Sequence, residues 1–122
     1  MRQLLLLPLL SLLLLANSDC HHQGKGPYKA RLAVAGICMN YTFELVEGTI
    51  DSSRVETNWT DETTGKVYHQ AFSVVNVCDL PKNLKAGDEF YFDIDTTPPK
   101  PCMVCEAYYP KPVKQLVIKV TN

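Results

Sequence analysis

Two cysteines three residues apart, Cys102 and Cys105, bracket Met103 and Val104 and follow the run Pro98-Pro99-Lys100-Pro101. Thiols at this spacing can form a disulfide, a redox pair or half of a metal site, and the surrounding residues select among the three. A thioredoxin-like redox pair needs a helix that opens at the motif and lowers the first thiol's pKa. Here prolines precede the motif and β-favouring residues surround it. Haem attachment would need a histidine where Glu106 stands. A metal site could draw on Cys102 and Cys105 with His21 and His22, and on the soft neighbours Cys20, Met39 and Met103, a set suited to copper(I) or zinc. Methionines at such positions more often pack than ligate, which leaves structural disulfides among Cys38, Cys78, Cys102 and Cys105 as the favoured account.

Other catalytic signals are thin. Ser52, Ser53 and Ser73 lie in no Gly-x-Ser-x-Gly elbow. The carboxylates Asp61-Glu62 and Asp93 with Asp95 fit no calcium loop, and His69 has no partner in sequence. The expectation is a protein that is not an enzyme and holds no cofactor. Asn40-Tyr41-Thr42 and Asn58-Trp59-Thr60 are glycosylation sequons in a eukaryotic setting and carry no meaning in a bacterial one.

The ends place the chain outside the cytosol. Met1-Arg2 is a short basic start, and Leu4 to Leu15 is apolar apart from Pro8 and Ser11. That run is shorter than the span of about 20 residues a membrane helix needs, so residues 1–19 read as a signal peptide. Cleavage after Ala16-x-Ser18 would release a chain starting at Asp19. Alternatively Cys20 takes a lipid, as in a bacterial lipoprotein. Five cysteines leave one unpaired, and lipidation of Cys20 leaves four that can pair. The localisation expected is export: periplasm or cell surface as a lipoprotein attached to the membrane through Cys20, or secretion.

Residues 20–27 are polar and glycine-rich, as expected of a flexible tether, and residues 28–122 suffice for a single β domain. The formal net charge of −1 gives no basic footprint for nucleic acid. Trp59, Tyr68, Tyr91, Tyr108 and Tyr109 could supply stacking, so a glycan or a protein partner stays open.

The elements that must position the cysteines are strands. Tyr28 to Gly36 alternates, and Gly36-Ile37-Cys38 breaks it as a turn or bulge. Met39 to Glu47 puts Met39, Tyr41, Phe43 and Leu45 on one face and Asn40, Thr42 and Glu44 on the other. Asp51-Ser52-Ser53 can open a helical turn, and Val55 to Tyr68 reads as a hairpin arm. Ala71 to Cys78 is β-rich, and Phe90, Phe92 and Ile94 face inward on the strand Glu89 to Asp95. Met103 to Tyr109 reads as a short strand, and Gln115 to Thr121 closes the domain with Leu116, Ile118 and Val120 inward.

If Met103 to Tyr109 is extended, three steps of about 3.3 Å separate the Cα atoms of Cys102 and Cys105 by roughly 10 Å, beyond a disulfide's reach of about 7 Å. The late cysteines then cross to Cys38 and Cys78. A bend at Pro101 would instead permit a local bridge between Cys102 and Cys105, with Cys38 joined to Cys78.

Gly36, Cys38, Glu47-Gly48, Asn76, Leu80-Pro81, Leu84-Lys85, Gly87-Asp88, Phe90, Phe92 and Cys102-Met103 together form a layout of turns and strands over roughly Tyr28 to Val120. This layout resembles small bacterial secreted or lipid-anchored proteins with OB-like barrels. Thr49 to Gln70 departs from the pattern as an insertion, and Cys105 is additional. The resemblance implies a fold and a compartment and brings no activity. Independently, five or six short strands without helices bury one face each only by closure or stacking. The expected fold is all-β, a small OB-like barrel of five to six strands. The alternative is an immunoglobulin-like β-sandwich, loosely echoed by Cys38, Trp59 and Cys78.

Overall fold

A computed structural model of the protein describes residues 25–121. Alternation decides the first hairpin: β1 (Tyr28–Gly36) and β2 (Asn40–Glu47) run antiparallel with Leu32 opposite Phe43, both fully buried. The connection at Ile37–Met39 is a single 3-10 turn. The expected arm forms as β3 (Glu56–Thr60) against β4 (Val67–Val74), with Trp59 opposite Tyr68. Then come β5 (Glu89–Ile94), β6 (Gln115–Leu116) and β7 (Ile118–Val120). The fold is all-β. A second 3-10 turn, Val77–Asp79, follows β4.

The strand order is β3-β4-β2-β1-β5-β7, an open antiparallel sheet, and β6 adds a parallel pairing to β4 off this path. Closure expected of a barrel is not seen along that path, and seven strands stand where five or six were expected. The reason is local: the hairpin arm adds β3, and the closing strand divides at Val117 so that its halves pair with different neighbours, β6 with β4 and β7 with β5. An immunoglobulin-like sandwich would require two stacked sheets, and here the strands belong to one.

All four phenylalanines of the chain lie in the core. Phe43 stacks on Phe72 at 5.7 Å and meets Phe90 edge-on at 5.7 Å, while Phe92 lies 5.8 Å from Phe72 and 6.2 Å from Phe90. The four rings thus close a circuit across β2, β4 and β5, each pair adding about 0.5–1.5 kcal/mol beyond area burial. Leu116 and Ile118 join them as expected, whereas Leu45 is only partly covered. Thr42, expected on the solvent face, is instead fully buried, and its Oγ1 has no hydrogen-bond partner among the described residues. It stands where β1 slips register between Leu32 and Val34, with Val34 opposite it. Met103 to Tyr109, expected as a strand, has no ladder at all. Prolines flank it on both sides, and Pro removes the amide a ladder needs. The Asp51-Ser52-Ser53 signal makes a single turn, in which Asp51 accepts from the amides of Ser53 and Arg54, and no helix continues from it.

The end of the stretch expected as a tether meets the sheet. The Gly26 amide donates to Thr121 Oγ1, and a Cβ at Gly26 would overlap the Phe92 carbonyl. The signal segment, Cys20, His21 and His22 lie outside the described residues.

Buried Asn76 ties the closing segment in. Its Nδ2 donates to the Ile118 carbonyl at 2.6 Å and its Oδ1 accepts from the Ile118 amide at 3.0 Å, so the side chain acts as a peptide group in the ladder. Asn76→Ala would leave both Ile118 groups unpaired. The expected loss is about 3 kcal/mol, read from urea unfolding, since each buried orphan costs about 1–3 kcal/mol.

Candidate functional site

Between β5 and β6, residues 95–114 contain no helix or strand and form a strap over one end of the sheet. Two disulfides position it. Cys38 bonds Cys105 with Cα atoms 5.0 Å apart, and Cys78 bonds Cys102 with Cα atoms 5.8 Å apart. The sequence brackets Met103 and Val104 with a Cys-x-x-Cys motif, but the structure sends its two sulfurs to different places: Cys102 to the turn after β4 and Cys105 to the turn between β1 and β2. Both partners are the ones the strand reading of residues 103–109 pointed to, although that segment is not a strand. Its course is set by the two anchors instead. Neither sulfur is a free thiol, so the motif has no dithiol with which to exchange electrons or bind a soft metal. Among the described residues, no three His, Cys, Asp or Glu side chains gather as a metal site.

The turn holding Cys38 is strained. Cys38 and Met39 both take positive φ, 56° and 59°, the pattern of a tight hairpin turn that ordinarily selects Asn-Gly. Asn40 reinforces it: its Nδ2 donates to the Ile37 carbonyl and to the Ala107 carbonyl of the strap, both at 2.8 Å. Gly36 is required by proximity, since a Cβ there would press on the Asn40 carbonyl and on the Tyr109 side chain.

Further along, the Tyr109 hydroxyl donates to Asp61 Oδ2 at 2.8 Å, while Asp61 Oδ1 caps the Thr63 amide at 2.9 Å. Asp61 is 1 % exposed. Burial opposes its ionisation, but the hydrogen bonds from Tyr109, Thr63 and Thr64 outweigh that and hold its carboxyl below the usual carboxylate range. The same contact raises the Tyr109 phenol, because it favours the protonated hydroxyl. Nearer β6, the Pro112 carbonyl accepts from Ser73 Oγ at 3.0 Å, and Lys114 Nζ reaches the Ser52 and Val55 carbonyls.

Between the strap and the sheet lies a cleft of about 310 Å³, lined by Met39, Asn40, Val75, Val104, Tyr108 and others. Its lining mixes valines with Glu106, Lys111 and Gln115, and Met103 and Ile37 lie outside it. Met103 is 96 % exposed, Tyr108 76 % and Ile37 59 %, with Val75 and Val104 also uncovered. Expected stacking residues are spread out: Trp59 lies 6.0 Å from Tyr68 on the hairpin arm, and Tyr91 on β5 lies under Lys25 and Lys29. His69 pairs through Nδ1 with Asn58 Oδ1 at 2.7 Å, a partner the sequence did not indicate. Nor did it pair Asp61 with Tyr109. The Asp-x-Thr-Thr-Gly turn was visible, but the partner 48 residues away was not.

Two disulfides fit an oxidising compartment, and no helix among the described residues is long and apolar enough to cross a membrane.

Two measurements test this geometry. The disulfides close separations of 67 and 24 residues, so alanine replacement of the Cys38–Cys105 pair should cost about 4 kcal/mol and of the Cys78–Cys102 pair about 3 kcal/mol, an order that urea unfolding reads directly. For Asp61 the folded pKa is depressed, so its contribution is present above the unfolded value of about 3.9 and is lost as pH falls through the lower folded value. The stability that Tyr109→Phe loses in urea unfolding should therefore be constant at neutral pH and shrink only below about pH 4, as Asp61 of the native chain takes up its proton.

No protein-family model, curated protein or solved structure matches this chain.

Proposed function

We propose that the protein is an exported, non-catalytic module that binds a protein partner through the strap, on a frame that is an OB-like barrel. Five pairings support the barrel reading. The sequence β1-β2-β4 is a meander, β5 returns antiparallel beside β1, and the closing segment reaches β4 in parallel through β6 and β5 antiparallel through β7. A strand path that comes back to its own third member is what a small, partly open barrel of this kind requires. Export rests on the basic, leucine-rich start and on the disulfides. The chain would then be tethered by a lipid on Cys20 or released.

The observation that carries the binding reading is Met103. A large apolar side chain stands almost wholly in water, yet its neighbours on both sides are covalently fixed to separate parts of the sheet. Ordering a loop before binding removes an entropic cost from association, and methionine adapts its shape to the surface it meets. Tyr108 on the strap and Ile37 beside its anchor Cys38 are further large apolar side chains left exposed, and exposed apolar surface marks interaction sites.

Panning a random peptide display library against the immobilised, oxidised protein gives the test. Selected peptides should lose affinity at least about tenfold for Met103→Asp, as for a residue at the centre of an interface. Peptides that bind Met103→Asp and Tyr108→Ser as well as the native chain would refute the assignment.

A further inference from the structure

The covalent layout of the strap is that of a substrate whose products cannot separate. The Met103–Val104 peptide bond lies between the two anchored cysteines, so a cut there leaves Met103 tied through Cys102 to Cys78 and Val104 tied through Cys105 to Cys38. The backbone around it is unoccupied: from residue 98 to residue 106 no amide or carbonyl makes a hydrogen bond within the described residues. Such a segment can pair with another chain's strand edge. Pro98, Pro99 and Pro101 stiffen its approach, and the Asn40 and Tyr109 contacts fix its exit.

Resting on the binding reading above, we propose that the partner is a serine endopeptidase, and that the strap inhibits it by entering the substrate cleft with Met103 in the pocket that selects the residue before the scissile bond. The chemistry balances without any further reagent. The enzyme's serine oxygen adds to the Met103 carbonyl carbon, the bond to the Val104 nitrogen breaks, and that nitrogen takes the proton and leaves as an amine, with Met103 held as a serine ester. In an ordinary substrate the amine diffuses away and water hydrolyses the ester. Here the Cys38–Cys105 bond keeps the amine beside the ester. It attacks the same carbonyl, expels the serine oxygen and restores the peptide bond. Well-oriented internal groups reach effective concentrations of about 10⁵–10⁸ M, so rejoining outpaces hydrolysis by water. The apolar, unbranched Met103 side chain suits an enzyme with an apolar slot at that position.

The test uses the full oxidised protein with chymotrypsin and trypsin. Chymotrypsin should be inhibited. Met103→Lys, at a fully exposed position, should move inhibition to trypsin with a change of at least about a hundredfold in each direction. The small fraction cleaved at Met103–Val104 should gain one water, stay a single species, and divide in two only on reduction. After reduction and alkylation the protein should be digested as an ordinary substrate. Absence of inhibition by both the native chain and Met103→Lys, or rapid complete cleavage with the disulfides intact, overturns the assignment. If peptide binding at Met103 persists in that case, the binding surface stands and the protease assignment alone falls; if neither is found, both fall.

Discussion

A segment without a ladder must be held by something else, and here the holding is done by two sulfur–sulfur bonds to separate turns. Ordering the backbone of a residue costs roughly 1–2 kcal/mol, and residues 95–114 recover almost none of it through strand pairing. Loops longer than about 12–15 residues with no structure of their own are uncommon in small domains unless they have a use. The disulfides shift part of the cost onto the unfolded chain by restricting it. The remaining contacts are spaced so that no long stretch is left untied: Ala107 to Asn40, Tyr109 to Asp61, Pro112 to Ser73 and Lys114 to the Ser52 turn.

Those ties are only as rigid as the sheet beneath them. Its outer face carries an ion ladder in which Lys29 reaches Glu89 at 3.2 Å and Arg31 reaches Glu44 at 3.1 Å across β5, β1 and β2. Pairs this exposed contribute about 0–1 kcal/mol each, whereas fully burying one phenylalanine contributes about 1.5–3 kcal/mol. The four-ring circuit therefore sets the sheet's geometry, and the charges decorate it. Asn76 extends the same rigidity to the closing segment, because a buried amide that replaces a peptide group leaves its neighbour only one register.

Much of this frame was legible from spacing alone. Strands β1, β2 and β5 follow from period-two alternation, and Phe43, Phe90, Phe92, Leu116 and Ile118 fall where that alternation puts them; β4 was legible only as a β-rich run at Ala71 to Cys78, whereas the strand runs Val67–Val74 and Val77–Asp79 is a 3-10 turn. What escaped is what alternation cannot encode. Thr42 is buried at the place where β1 slips register against β2, a fact of the pair rather than of either strand. Tyr109 was read as part of a strand because its neighbours favour one, yet its position is set by a carboxylate far away in sequence. Cys102 and Cys105 look like a unit in one dimension and serve two different anchors in three. The pairing with Cys38 and Cys78 was reachable by distance, but the course of the segment was not, since it is set by the anchors and not by its own residues.

The nested pairing, Cys78–Cys102 within Cys38–Cys105, is more than a stabilising device. By the chain-entropy account, joining residues 38 with 105 and 78 with 102 gains about 2 kcal/mol over the sequential scheme, 38 with 78 and 102 with 105, in which the loops would span about 40 and about 3 residues. The anchor at Cys38 gives much of that back. Two successive non-glycine residues with positive φ, Cys38 and Met39, cost on the order of 1–3 kcal/mol each. Stability alone therefore does not distinguish the two schemes. Placement does. A local bridge between Cys102 and Cys105 would fold Met103 and Val104 into a small ring joined to the sheet by neither end. The nested scheme holds them between two fixed points, with Met103 in solvent and the backbone on either side free to pair.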